Sequence, residues 1–389
     1  MKKQAATGLL TPVHYVVWRS EAGGAELSVN HYIERFSSSR AVHVFSLRAS
    51  KNEIYDGSKI QFQNGADNDW DCYRAYFRYC RAHKDDLFHL MSVGPVILLL
   101  TLLAGVRQPV YHIHGTLYWK KPFKKLYLKT AWWLAGLFRV HFVANSHYSA
   151  GIFDRVVLPV SPKVIYNGFA LGSFLAARTL RPELRRMAYA GRLQPGKNAD
   201  LVIRLFDEIA ADYPNLELHI AGDGALRPAL ERQAAQSAAH DRIKFRGWVD
   251  DIATFYGEVD LFVFLSAYES FGNVLPEALL TGLPVLTSNI PVFEEIYGAD
   301  KTFVLGDPAQ YPVLLENFRK AIAGYPELAR RAFALSDRMA ATFNIEHHLT
   351  EIENIYAQIE SAGHLLPLRG AGAVRQLDSK IPDAAPADV

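Results

Sequence analysis

Short apolar runs alternate with longer mixed stretches along almost the whole chain. PVHYVVW (12–18), AVHVFSL (41–47), DLFHLM (86–91), PVYHIH (109–114), VHFVAN (140–145) and KVIYN (163–167) have strand-like length and β-branched or aromatic content. Each leads into a loop or a helical pattern. A second series repeats the theme: RRMAYAG (185–191), NLELHIAG (215–222), RIKFRG (242–247), DLFVFLS (260–266) and LPVLTS (283–288). Helical patterns fall between them at about 198–212, 225–238, 250–257 and 273–281. The nearly continuous apolar run VDLFVFLSA (259–267) fits a strand covered on both faces, as in a parallel sheet.

This alternation predicts an α/β chain of two Rossmann-like, doubly wound domains facing each other across a cleft. The expected division is 1–170 for the first domain, 171–186 for a charged, proline-containing linker (FLAARTLRPELRR at its centre), and 187–345 for the second. The pattern EHHLTEIENIYAQIESA (346–362) predicts a final helix able to pack back on either half, the first domain among them. Residues 363–389, rich in Ala, Pro and Gly, have the composition of a disordered tail.

At 389 residues the chain is long enough for two cores. Its two cysteines, Cys72 and Cys80, show neither a disulfide framework nor a zinc spacing, which favours a reducing, cytoplasmic compartment. The longest apolar run, VGPVILLLTLLAGV (93–106), is too short to span a bilayer and predicts a buried helix. The N-terminus lacks the pattern of a signal peptide.

Net charge is only +2, but its distribution is uneven. From Leu87 to Phe153 there is no Asp or Glu, whereas Lys120, Lys121, Lys124, Lys125 and Lys129 crowd a Trp-containing segment. A helix there would stack Lys121, Lys125 and Lys129 on one side, a pattern suited to an anionic membrane surface or acceptor. No recognised nucleic-acid module accompanies these lysines, so nucleic acid is not the expected partner.

Candidate chemistry gathers where strands end. Glu269 lies in the loop after one strand, and Glu277 on the helix that follows, with Asn273 placed to cap it and Pro276 tolerated in its first turn. The intervening Phe271, Gly272 and Asn273 put backbone N–H groups toward whatever fills the crevice. GRLQPGK supplies Arg192 and Lys197 at the same sheet edge, and AGDG supplies a glycine turn at Gly222. In the first domain, Gly23 and Gly24 follow the first strand without forming GxGxxG, so a dinucleotide is not indicated. His114 ends a strand in YHIHGT; with no acidic residue nearby, a metal there is not expected.

Together, GRLQPGK, AGDGALRPALE and above all YESFGNVLPEALLTGLPVLTS, with its Glu-x7-Glu pair, resemble the retaining glycosyltransferases of family 4, which have the GT-B fold. The resemblance covers about residues 12–360. It implies a hexosyl transfer from a UDP- or GDP-sugar to a glycan or lipid-linked acceptor in surface-polysaccharide or glycolipid synthesis, on the inner face of the cell membrane. No cofactor or nucleotide-binding metal is implied. Within it, Glu269 addresses the donor sugar, Glu277 the ribose, Arg192 and Lys197 the diphosphate, and His114 the reaction centre. Gly23, Gly24, Phe271, Gly272 and Asn273 match backbone segments that approach the donor. Leu265 and the loop SNIPVFEEI (288–296) depart from the family pattern, while Glu295 aligns with a family glutamate. A soluble acceptor, a nucleotide-sugar epimerase and a non-catalytic sugar-nucleotide binder are the alternatives.

Overall fold

The computed structural model describes residues 10–19, 24–48, 55, 61–64, 68–115, 132–134, 138–156 and 161–363. The first sheet comprises β1 (Leu10–Val17), β2 (Arg40–Ser46), β3 (Gln61–Asn64), β4 (Leu87–Met91), β5 (Val110–Ile113), β6 (His141–Ala144) and β7 (Lys163–Val164). Its order is β3-β2-β1-β4-β5-β6-β7, and every described pairing is parallel. The second comprises β8 (Arg186–Ala190), β9 (Glu217–Ala221), β10 (Ile243–Gly247), β11 (Leu261–Phe264), β12 (Val285–Ser288) and β13 (Val304–Gly306). It runs β10-β9-β8-β11-β12-β13, again parallel.

Both sheets reverse their winding direction once, between β1 and β4 and between β8 and β11. Loops leaving the strands there diverge to opposite faces and open a crevice, the usual ligand position in this kind of sheet. The central strands are buried on both sides, as in Leu261–Phe264, which is why they read as unbroken apolar runs. By contrast, β3 is the polar edge strand QFQN, and β13 has three residues. Neither carries a pattern that sequence reading detects.

Between Phe169 and Ile345 the chain crosses twice from one domain to the other. Phe169 donates its N–H to Phe343 O at 2.8 Å, and Ile345 donates to Phe169 O at 3.1 Å. A Cβ on Gly168 would lie 2.7 Å from Ile345 Cα, so glycine lets the two crossings touch. Beyond the crossing, the helix Ile345–Gly363 lies on the first domain. Its Leu349, Ile352, Ile355, Tyr356 and Ile359 enter the core containing Val13, Tyr15 and Val44, at the spacing of one helical face. Ion pairs Arg40–Glu360 (3.1 Å) and Lys163–Glu351 (2.7 Å) flank this contact.

The stretch read as the linker contains a short helix, Leu171–Ala176, whose Phe174 is buried in the second core because an apolar side chain at the crossing gains more by packing than by exposure. The run at 93–106 does form a buried helix, Pro95–Leu103. Among the described residues no helix is long and apolar enough to cross a membrane. The expected tail lies outside the described residues from 364 onward.

Candidate active site

The loops that leave β8 and β11 at the second reversal point are bonded to one another. Ala267 donates its N–H to Gly196 O at 2.8 Å. Asn198, left-handed at φ 55°, donates Nδ2 to Leu265 O at 2.8 Å; asparagine tolerates that backbone better than most residues. Lys197 Nζ donates to Glu269 Oε1, and Ser266 Oγ donates to the same oxygen at 2.9 Å. The Lys197 and Glu269 side chains are each 14% exposed. That leaves them reachable by a ligand, yet dry enough for their charges to act strongly on it.

Glu277 occupies the first turn of the helix Val274–Leu280, and Tyr256 OH donates to its Oε2 at 3.4 Å. Burial pushes its carboxyl up to about 7, outweighing the Tyr256 hydrogen bond that pulls it down. Asn273 stands at the N-cap position but does not cap with its side chain. Its Oδ1 instead accepts Asn167 Nδ2 from beyond the crevice at 2.7 Å, a tertiary bond that local pattern cannot foresee. Gly272 adopts φ 79°, where a Cβ would lie 2.9 Å from the Phe293 ring. Phe271 is buried against Phe343 and Tyr166, so only its backbone faces the loop.

The opposite wall comes from the first sheet. Ser270 Oγ, next to Glu269, donates to His114 O at 2.6 Å. Ser270 O accepts Ser146 Oγ at 2.8 Å and Ser149 Oγ at 2.9 Å. His114 follows β5, and its N–H donates to Ser92 Oγ at 2.7 Å. The His114 ring packs on His112 at 4.1 Å between centroids. Burial holds the His114 imidazole down at about 3, so it is neutral at physiological pH. His112 and His89 are held low by the same cause. His89 Nδ1 lies 2.7 Å from Tyr356 OH, and its Nε2 lies 3.3 Å from His112 Nδ1. Among the described residues His114 Nε2 is buried without a hydrogen-bond partner.

The arrangement therefore offers a cation, a carboxylate beside it, a second carboxylate with a raised pKa and a neutral imidazole whose Nε2 has no hydrogen-bond partner among the described residues. Such a set can hold a phosphorylated, hydroxyl-rich ligand. Arg192 is exposed on the Lys197 loop. Gly222 serves packing first: at φ 122° its Cβ would meet Gly191 O at 2.0 Å, where the loops after β8 and β9 touch. Gly24 opens the helix Gly24–Phe36; Gly23 and the lysines at 120, 121, 124, 125 and 129 lie outside the described residues. Ser270, Ser92 and Tyr256 carried no signal in the sequence, because each acquires its place only through a tertiary contact; Ser266 meets Glu269 three residues on, a local contact the sequence reading passed over.

Residues 176–333 match the family model of glycosyl transferases group 1. Lys197, Glu269 and Glu277 all fall within the match. The chain is 23% identical over 373 residues to the O-antigen biosynthesis glycosyltransferase WclY of Escherichia coli, covering 88% of this chain and 97% of that one. It is 37% identical over 81 residues to the lipopolysaccharide core biosynthesis glycosyltransferase LpsE of Rhizobium meliloti, 21% of this chain and 24% of the relative. A glycogen synthase of Mycobacterium tuberculosis aligns at 29% identity over 196 residues, half of this chain and 47% of its own. Thus the chain spans about a quarter and about half of these last two relatives. Among solved structures, HepE from Anabaena superposes with a TM-score of 0.74 at 19% identity, covering 90% of this chain and all of that one. WaaG, a glycosyltransferase involved in lipopolysaccharide biosynthesis, superposes at 0.65 and 16% identity, over 90% and 98%. The fold is GT-B.

Proposed function

We propose that the protein is a retaining glycosyltransferase that moves a hexosyl-type sugar from a UDP- or GDP-sugar to a glycan or lipid-linked acceptor in surface-polysaccharide or glycolipid synthesis. The observation that carries this reading is the Lys197–Glu269 pair at the second reversal point, with His114 across the crevice bonded to the neighbouring Ser270. Lys197 and Arg192 neutralise the leaving diphosphate. Glu269 orients the donor sugar, Glu277 accepts from ribose hydroxyls, and the backbone of Phe271, Gly272 and Asn273 covers the phosphates. Gly23 and Gly24 approach the donor from the first domain. With two cations in place, the diphosphate needs no divalent ion for charge stabilisation.

Transfer proceeds on one face of the sugar. The bond from the anomeric carbon to the phosphate oxygen breaks, the bond to the acceptor oxygen forms on the same side, and the acceptor proton passes to the departing phosphate. A neutral His114 suits a hydrogen bond to a sugar hydroxyl and is no general acid at this pH. Closure of the crevice keeps water from taking the acceptor's place.

Structures of HepE hold UDP and UDP-glucose, which favours a uridine donor. The names of LpsE, WclY and WaaG favour a lipopolysaccharide or O-antigen acceptor. Exposed Trp133, Leu134 and Phe138 stand next in sequence to the lysines from 120 to 129. That combination supports docking on an anionic membrane at the cytoplasmic face. Liposome flotation checks it: anionic vesicles should retain the protein, and replacing the five lysines should release it.

The direct test is turnover with a panel of nucleotide-sugars and lipid-linked acceptors in EDTA, with product anomers read by NMR. Transfer with the donor's anomeric configuration kept supports the reading. Inversion, a requirement for metal, sugar interconversion without acceptor, or binding without turnover overturns it.

A further inference from the structure

The end of the first sheet away from the crevice carries a second cluster, which the proposed transfer does not use. His14 is on β1, His83 follows the helix Asp69–Ala82, and Asp86 immediately precedes β4. We propose that His14, His83 and Asp86 form a binding site for one divalent cation of the zinc class.

The donor atoms converge. His14 Nε2 lies 3.0 Å and His83 Nδ1 3.3 Å from one oxygen, Asp86 Oδ2, and all three atoms lie within 4.8 Å of one another. A tetrahedral cation bound at about 2.0–2.1 Å holds its ligand atoms roughly 3.3 Å apart; both distances to Asp86 Oδ2 already match that spacing, and the two ring nitrogens need only draw together from within 4.8 Å. Two imidazoles and one carboxylate suit zinc and its neighbours rather than magnesium or calcium, which prefer all-oxygen sites.

The surroundings are built for ligation. Tyr79 OH sits 2.5 Å from His14 Nδ1. A tyrosine hydroxyl can accept that N–H and leave the Nε2 lone pair for a metal, the outer contact that ligating histidines commonly have. The buried His14 ring is clamped between His43, 4.4 Å away at 15°, and Phe88, 4.7 Å away at 12°. His83 and Asp86 are 34% and 24% exposed, which gives an ion a path in and leaves room for water as a further ligand. Bound there, the cation ties β1, the helix Asp69–Ala82 and the start of β4 together. No spacing motif announces the site, since His14 and Asp86 are 72 residues apart.

Calorimetric zinc titration of tag-free, EDTA-stripped and dialysed full-length protein tests the proposal, with X-ray absorption of the loaded form. One equivalent should bind in a mixed nitrogen and oxygen shell at about 2.0 Å, and the melting temperature should rise. His83→Ala and Asp86→Asn should each weaken binding by at least about tenfold without changing the circular dichroism. His114→Ala, at the separate histidine group, should leave it unchanged. Absence of saturable binding, or binding that survives both His83→Ala and Asp86→Asn, or binding lost only in His114→Ala, overturns the proposal and leaves the cluster as a hydrogen-bonded network.

Discussion

The Glu295 carboxylate of the second domain receives the backbone N–H of Tyr148 in the first, at 2.9 Å. Its other oxygen takes the N–H of His147 at 2.8 Å. One acidic side chain thereby caps the first turn of the helix His147–Val156 across the crevice, where a helix favours negative charge. Together with Ser146 and Ser149 on Ser270 O, it latches the two domains. Glu295→Ala should cost about 1.5–2 kcal/mol of domain coupling, the lower part of the charged hydrogen-bond range because His147 is exposed. Small-angle scattering of the ligand-free variant should show a larger radius of gyration. Scattering identical to wild type would mean that the latch holds nothing.

Lys197 and Glu269 share one bond but should fail differently. On the proposed reading, Lys197→Ala removes the cation that would face the diphosphate and should weaken donor binding by about tenfold or more. Glu269→Gln keeps the shape and an oxygen acceptor for Lys197 but removes the negative charge, so donor affinity should stay within a few-fold while turnover falls by roughly 10²–10³. Steady-state kinetics beside equilibrium binding separates the two. A Glu269→Gln variant with lost binding and normal turnover contradicts the assigned roles.

Glu277 imposes a pH dependence with a definite sign. Its carboxyl sits at about 7 in the fold, against 4.5 as the ordinary value. Between those values the folded protein holds a proton that the unfolded chain has released, so this group's contribution falls as pH rises through the window. Glu277→Gln abolishes that loss. Relative to wild type, the variant should gain roughly 1–3 kcal/mol between pH 4.5 and 8, and should bind nucleotide more weakly. Urea denaturation at both pH values checks the sign; a gain that shrinks toward pH 8 contradicts it.

Glycine matters at Gly222 for reasons of space. A Cβ there would lie 2.0 Å from Gly191 O at a left-handed φ, so Gly222→Ala should cost about 3 kcal/mol or more. Gly172, in the helix Leu171–Ala176, has nothing within 4 Å, and Gly172→Ala should stabilise by about 0.5–1 kcal/mol. Paired thermal melts decide whether the first loss is local to that close approach.

Much of the fold was legible because buried parallel strands write themselves as apolar runs, as Leu261–Phe264 does. The edge strand Gln61–Asn64 did not, since its sequence QFQN is only four residues long and mostly polar. Glu269 and Lys197 were each visible as chemistry at a strand end. That they pair was not, because 72 residues separate them and only the β8–β11 adjacency joins their loops. Asn273 shows the limit of local rules: its position is that of a cap, but its side chain is bonded to Asn167 in the other half of the molecule. Glu295 stands out in the sequence only through the family resemblance, and its contact with residues 147 and 148 belongs to tertiary structure.

The most direct test of a nucleotide-sugar site at the second reversal point is thermal stabilisation by UDP-, GDP- and ADP-sugars, each measured against the same EDTA-treated protein, in wild type and Lys197→Ala. The account predicts a shift with one nucleotide class that persists in EDTA and shrinks in Lys197→Ala. No shift with any class, or a shift that EDTA removes or Lys197→Ala leaves intact, contradicts it.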